Sequence, residues 1–122
     1  MKRLIIAALL LFPFGVWADH VDVIESQLNE GCSQEKYLAI VKDFNEGWGK
    51  NNGYQAEVLF PIQSNNMTSF FWVGRSANAA AFGAAYDKWT NELADANSLA
   101  SSLMKRFNEC SMTVGRRGYL SY

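Results

Sequence analysis

The chain has 122 residues, with 11 basic side chains, 12 acidic ones and one histidine, for a formal net charge of −1. That length makes one domain and not two. The charge balance excludes the strongly basic surface that nucleic acid or an anionic membrane would require of a partner.

Met1-Lys2-Arg3 precedes an apolar run from Leu4 to Val16, and Val16 and Ala18 suit the −3 and −1 positions of a signal-peptidase site. Residues 1–18 therefore read as a secretory signal peptide. The run is short of the ~20 apolar residues that span a bilayer, and Pro13 and Gly15 interrupt it, so no membrane attachment is expected after cleavage. The leader is brief enough to look bacterial, which places the mature chain in the periplasm or outside the cell. Lys2 and Arg3 leave with it, so residues 19–122 carry 9 basic against 12 acidic groups, about −3, in a single α+β domain. Cys32 and Cys110 both remain. There is no C-x-x-C, and an isolated pair in an oxidising compartment reads as a disulfide rather than a redox centre. Closing a loop across 78 positions stabilises by roughly 4–5 kcal/mol at most in the chain-entropy view.

Val21 to Leu28 is rich in β-branched residues and reads as a first strand, ended by Asn29-Glu30-Gly31. Ser33 is a good N-cap, with Glu35 in the first turn. Tyr37, Leu38, Val41, Phe44 and Trp48 then recur at helical spacing, predicting an amphipathic helix from Gln34 to about Lys50. Tyr54 to Phe60 alternates as a strand and stops at Pro61. The polar loop to Thr68 holds Asn66-Met67-Thr68, a glycosylation sequon that matters only in a eukaryotic source. Ser69 to Ser76 is the most apolar stretch of the mature chain. Phe70-Phe71-Trp72-Val73-Gly74 is uncharged, which predicts a central strand buried on both faces. Ser76 is the expected N-cap of a helix to about Leu93, with Phe82, Tyr86, Trp89 and Leu93 in register. Asp95-Ala96-Asn97 breaks or bends it, and Leu99, Leu103 and Phe107 form a further short stripe. Cys110 to Val114 reads as the last strand. Arg116-Arg117 is expected to be a solvated end within the tail to Tyr122.

The order β-α-β-β-α-(α)-β suits a ferredoxin-like sandwich with an antiparallel sheet, spatial strand order 4-1-3-2 and helices on one face. In that arrangement the chain at Cys32 and the chain at Cys110 meet, so the bridge needs no distortion. Phe70 and Trp72 then lie on one side of the central strand and Phe71 and Val73 on the other, and a sheet apolar on both faces wants a second subunit: a homodimer through the open face.

With these features the chain resembles the dimeric α+β-barrel proteins, a group that includes antibiotic-monooxygenase-like, NIPSNAP-like and stress-responsive barrel domains. The resemblance rests on the element order, the helix Tyr37–Trp48 and Phe70-Phe71-Trp72-Val73-Gly74-Arg75-Ser76 leading into Ala79-Ala80-Ala81-Phe82-Gly83, and covers Val21 to about Arg117. It implies a barrel-type dimer and brings no catalytic signature. The chain has no histidine inside the barrel region, so no histidine ligand for heme is carried over.

His20, the only histidine, stands two residues into the mature chain, where a frayed terminus is expected. One histidine without a cysteine cluster makes neither a zinc site nor a Ser-His-Asp triad. Gly47-x-Gly49-x-x-x-Gly53 follows a helix, so it is no phosphate loop. No metal or other cofactor is expected. The aromatic residues, Trp48, Tyr54, Trp72 and Trp89 foremost, have two readings: core plus dimer interface, or a pocket for an apolar or planar ligand. Arg75 at the end of the central strand could anchor a carboxylate or pair with Asp87 or Glu57, and Glu57 is a general base only if desolvated. The candidate ligand-binding set is thus Arg75, Trp48, Tyr54, Trp72 and Trp89. The expected role is a small exported homodimer that binds a small apolar or aromatic ligand, or a protein partner, without catalysis. The alternative is a cofactor-independent monooxygenase- or isomerase-like enzyme acting on an aromatic small molecule.

Overall fold

A computed structural model describes residues 18–122. The signal peptide expected over residues 1–18 falls, but for Ala18, outside the described residues. The central strand is the one anticipated. It is β3 (Ser69–Ser76), flanked by β2 (Gln55–Leu59) and β1 (Asp19–Leu28), with β4 (Ser111–Ser121) on the far edge. All three pairings are antiparallel, and the order β2-β3-β1-β4 is the expected 4-1-3-2. Among the described residues three helices, α1 (Gln34–Gly47), α2 (Ala79–Glu92) and α3 (Leu99–Cys110), complete a ferredoxin-like α+β fold.

Strand periodicity sorts the sheet residues. Phe70, Trp72 and Gly74 share the helix side of β3, and the register places Ser26, Ile24 and Asp22 opposite them on β1. Phe70 meets Tyr37 of α1 edge-on at 4.6 Å between ring centroids, and Trp72 meets Phe44 at 5.0 Å. Phe44 is the hub: Trp48, Tyr54, Trp89 and Phe107 all surround it within 6.3 Å. Each large side chain buried in such a cluster contributes about 1.5–3 kcal/mol. Cys32 and Cys110 are joined, with Cα atoms 5.2 Å apart. Beside the bridge, the Asn29 backbone N–H donates to the Cys110 carbonyl at 2.9 Å and the Asn29 side chain donates to the Asn108 and Glu109 carbonyls. The end of β1 is therefore tied to the end of α3 twice over.

On the short edge strand β2, Ala56 would present its backbone N–H and C=O to solvent. Asn45 of α1 takes both: its Nδ2 donates to the Ala56 carbonyl at 2.8 Å and its Oδ1 accepts from the Ala56 N–H at 2.9 Å. A side-chain amide thus stands in for a neighbouring strand at Ala56.

Several expectations need correction. α1 ends at Gly47 and continues as a 3₁₀ turn over Gly49–Asn51 rather than as helix to Lys50, because two glycines weaken the last turn. Ser76 does not cap α2; it is the last residue of β3, and Asn78 accepts from the Ala81 N–H at 2.8 Å instead. Cys110 closes α3. β4 starts after it and runs to Ser121, taking in the residues expected as a tail, with a bulge near Val114. His20 is not frayed: β1 begins at Asp19, and the His20 ring stacks on Phe82 with centroids 3.9 Å apart and planes within 14°. Arg116-Arg117 is part of β4 rather than an end, though both side chains stay about half exposed. Arg117 reaches Glu25 at 3.6 Å, and Arg116 turns inward to Asp22. The common cause is β1: its full length, Asp19 included, offers a partner to every residue from Ser111 to Ser121 other than the bulged one.

Candidate binding site

Between the helix side of the sheet and the three helices lies a cavity of about 220 Å³. α1 contributes Phe44, with Trp48 just past its end; β3 contributes Trp72; α2 contributes Phe82, Tyr86 and Trp89; α3 contributes Phe107. The helical repeat places Phe82, Tyr86 and Trp89 on one stripe of α2, and the small Ala85 behind them leaves the space open. Trp48 and Trp89 meet edge-on at 4.9 Å, and the Trp48 indole N–H donates to Glu92 at 2.6 Å, so that wall is fixed by its own hydrogen bond.

The polar end is built by β1 and β4. Asp22, almost fully buried, accepts from Arg116 Nε at 2.8 Å through Oδ1 and from Arg116 Nη2 at 2.7 Å through Oδ2. The Tyr54 hydroxyl donates to the same Oδ2 at 2.8 Å, and in turn accepts from the Trp72 indole N–H at 2.7 Å. A Cβ at position 74 would coincide with the Tyr54 hydroxyl, so only glycine on β3 lets this tyrosine reach Asp22. The bidentate geometry is the strong form of the arginine–carboxylate contact. Arg116 is half exposed, lines the cavity, and lies with Cζ 5.3 Å from the Tyr86 ring centroid.

The electrostatics follow from burial. The bond to Asp22 raises the Arg116 pKa, so the cation is permanent. Desolvation, then the adjacent Asp22 charge, drives Tyr54 far above the usual phenol range, so it is a proton donor and never a phenolate near neutrality. Burial pushes Tyr37 up to about 12 from 10.0. Below pH 10 the phenol is protonated in both states; from 10.0 to about 12 only the unfolded chain releases the proton, so stability is lost across that window. The Tyr37 share is of order 2–3 kcal/mol. Urea titrations at pH 9 and pH 11.5 should show a smaller drop in Tyr37→Phe than in wild type. Equal drops would show that Tyr37 is not the group concerned.

Of the candidate set read from the sequence, Trp48, Tyr54, Trp72 and Trp89 come together on this cavity. Arg75 does not join them. One residue past Gly74 on β3, it falls on the opposite face, paired with Glu57 at 3.4 Å with both side chains about half exposed. A surface pair of this kind contributes about 0–1 kcal/mol. Arg75 borders an open groove with Asp19, Lys50 and Gln55. Sequence reasoning missed Asp22 and Arg116. The signal for Asp22 was present: period two puts it opposite Val21 and Val23, a lone acid on the helix side of β1. Nothing local marked Arg116, which is placed by its register opposite Ile24.

No protein-family profile matches this chain, and no curated protein matches it in sequence. Solved structures share its fold. A conserved protein of unknown function from Bacteroides thetaiotaomicron, described as a possible oxidoreductase, is similar at a TM-score of 0.55 and 12% identity, over 85% of this chain and 98% of that one. SnoaB, a cofactor-independent oxygenase from Streptomyces nogalater, is similar at 0.56 and 7% identity, over 86% and 94%. A dimeric protein of unknown function with a ferredoxin-like fold from Bacteroides fragilis gives 0.46 at 12% identity, over 84% and 95%. At such identities the first two likenesses establish the fold and nothing further: this chain has the ferredoxin-like architecture that a cofactor-independent oxygenase also uses.

Proposed function

We propose that the protein is exported, dimerises through its open sheet face, and holds a small planar, largely apolar molecule in the cavity without transforming it. The observation that carries the reading is the aromatic-walled space of about 220 Å³ with Arg116 at its polar end. That volume is below the ~300–1,000 Å³ of sites for drug-sized ligands, so it suits one or two rings. Among the described residues none that lines the cavity is a carboxylate or a histidine, and Asp22 behind Arg116 already accepts three hydrogen bonds. A general base facing a ligand is therefore missing from the walls. The disulfide supports export. Leu59, Met112 and Tyr119, exposed on the face away from the helices, support sheet-to-sheet association.

One preparation tests all three parts. Chain recovered from the extracytoplasmic fraction should begin at Asp19 by intact mass and sediment as a dimer at micromolar concentration. Its tryptophan fluorescence should be quenched saturably by naphthalene. Ala85→Leu, which fills the cavity from α2, should weaken that quenching at least tenfold. Chain confined to the cytoplasmic fraction with Met1 retained overturns export, a stable monomer overturns the dimer, and quenching unchanged in Ala85→Leu overturns the site. The fold shared with SnoaB favours a second reading, oxygenation of an aromatic molecule in the same cavity. Turnover of a bound quinol under oxygen would replace binding with catalysis.

A further inference from the structure

Resting on that binding reading, we propose that the cavity selects neutral ring systems bearing a hydrogen-bond acceptor, such as an aromatic ketone, aldehyde or amide, and that Arg116 Nη1 is the donor that reads the acceptor. A guanidinium is a rigid planar fork with five N–H groups. Here the Nε and Nη2 side is committed to Asp22. Nη1 is directed away from that carboxylate by the planarity of the group, and among the described residues it makes no hydrogen bond. The Arg116 side chain is about half exposed where it lines the cavity, so an N–H on this group without a protein partner is open to solvent.

The charge balance decides which ligand gains. Among the described residues that line the cavity Arg116 is the single charged one, and Asp22 directly behind it cancels its charge. A carboxylate entering this space would shed its water against tryptophan and phenylalanine faces, with the Asp22 oxygens on the far side of the same guanidinium. Its desolvation has no uncompensated cation to offset it. A bare hydrocarbon enters freely but strips water from Nη1 and returns no acceptor, which is costly for a donor on a charged group. A neutral carbonyl avoids both costs. Its ring lies against the aromatic walls and its oxygen replaces the displaced water.

The experiment uses the mature, disulfide-bonded protein and three probes on one skeleton: naphthalene, 2-acetylnaphthalene and 2-naphthoate, titrated by calorimetry at neutral pH. The ketone should bind about tenfold more tightly than either of the others. In Arg116→Lys, which keeps a cation beside Asp22 but has no fork, the ketone should fall to within about threefold of naphthalene. Should that variant fail to fold, nitrogen-15 spectra of wild-type arginine side chains decide the donor, since only the ketone should shift the Arg116 guanidinium signals. Equal affinities for the three probes, a preference for 2-naphthoate, a ketone preference that survives in Arg116→Lys, or unmoved guanidinium signals would overturn the proposal while leaving the cavity a binding site. Failure of all three probes to bind would overturn the binding reading itself.

Discussion

Arg116→Met should destabilise the protein by about 2–3 kcal/mol, lowering the melting temperature by roughly 10–20 °C. The substitution keeps the aliphatic bulk and removes the two N–H groups that hold Asp22. The carboxylate is only 2% exposed, so it is left as a buried charge with one remaining donor, the Tyr54 hydroxyl. Removing one partner of a fully buried pair typically costs 3–5 kcal/mol; the figure here is lower because Arg116 is half exposed and water can enter where it stood. The origin of the loss is testable with a second change. Asp22→Asn in the Arg116→Met background removes the stranded charge, so the double variant should recover about half the stability, with a coupling of roughly 1–2 kcal/mol between the sites. Denaturant titrations of the four proteins give the cycle. A single Arg116→Met variant within about 0.5 kcal/mol of wild type would mean that the pair contributes nothing measurable.

Removing the Cys32–Cys110 bridge should cost about 3–4 kcal/mol, somewhat under the chain-entropy ceiling. The bridge closes a long loop, from just past β1 to the last residue of α3, with β1 and β4 outside it. The folded geometry does not depend on it alone, because Asn29 makes three hydrogen bonds to the backbone at Asn108, Glu109 and Cys110. The main effect of the bridge therefore falls on the unfolded chain, which loses conformational freedom when its ends are tied. Cys32→Ala with Cys110→Ala should shift the urea midpoint down strongly while leaving the folded circular-dichroism spectrum unchanged. If the midpoint held while thiol titration confirmed both cysteines gone, the entropic account would be wrong. Since Cys110 is almost completely buried, alanine rather than serine avoids stranding a hydroxyl there.

Four residues show what local sequence could and could not disclose. Trp72 was legible because Phe70 to Gly74 is an uncharged aromatic run that only a central strand can accommodate. Its helix side had to meet α1, whose stripe was equally plain. Arg116 was illegible. Its neighbours Gly115, Arg117 and Gly118 are poor strand formers, and they pair only because β1 runs alongside. Arg75 illustrates the converse. It stood at the end of the right strand, but odd and even positions face opposite ways, and a shift of one residue from Gly74 sends it to solvent. His20 resembles Arg116: judged by distance from the expected terminus it should be loose, yet pairing on both sides and the Phe82 ring hold it.

Element order, the central strand, the apolar stripes of the helices and the position of the two cysteines are written in local patterns of residues. From these the ferredoxin-like strand order followed, because period two and period 3.6 are properties of neighbouring residues. Where the buried charge sits, how far β4 extends and which candidate residues meet come from long-range pairing instead. Those outcomes depend on register between strands 94 residues apart, as Asp22 and Arg116 are. Register is set by which side chains fit together across the sheet, and no local pattern around Arg116 carries that information.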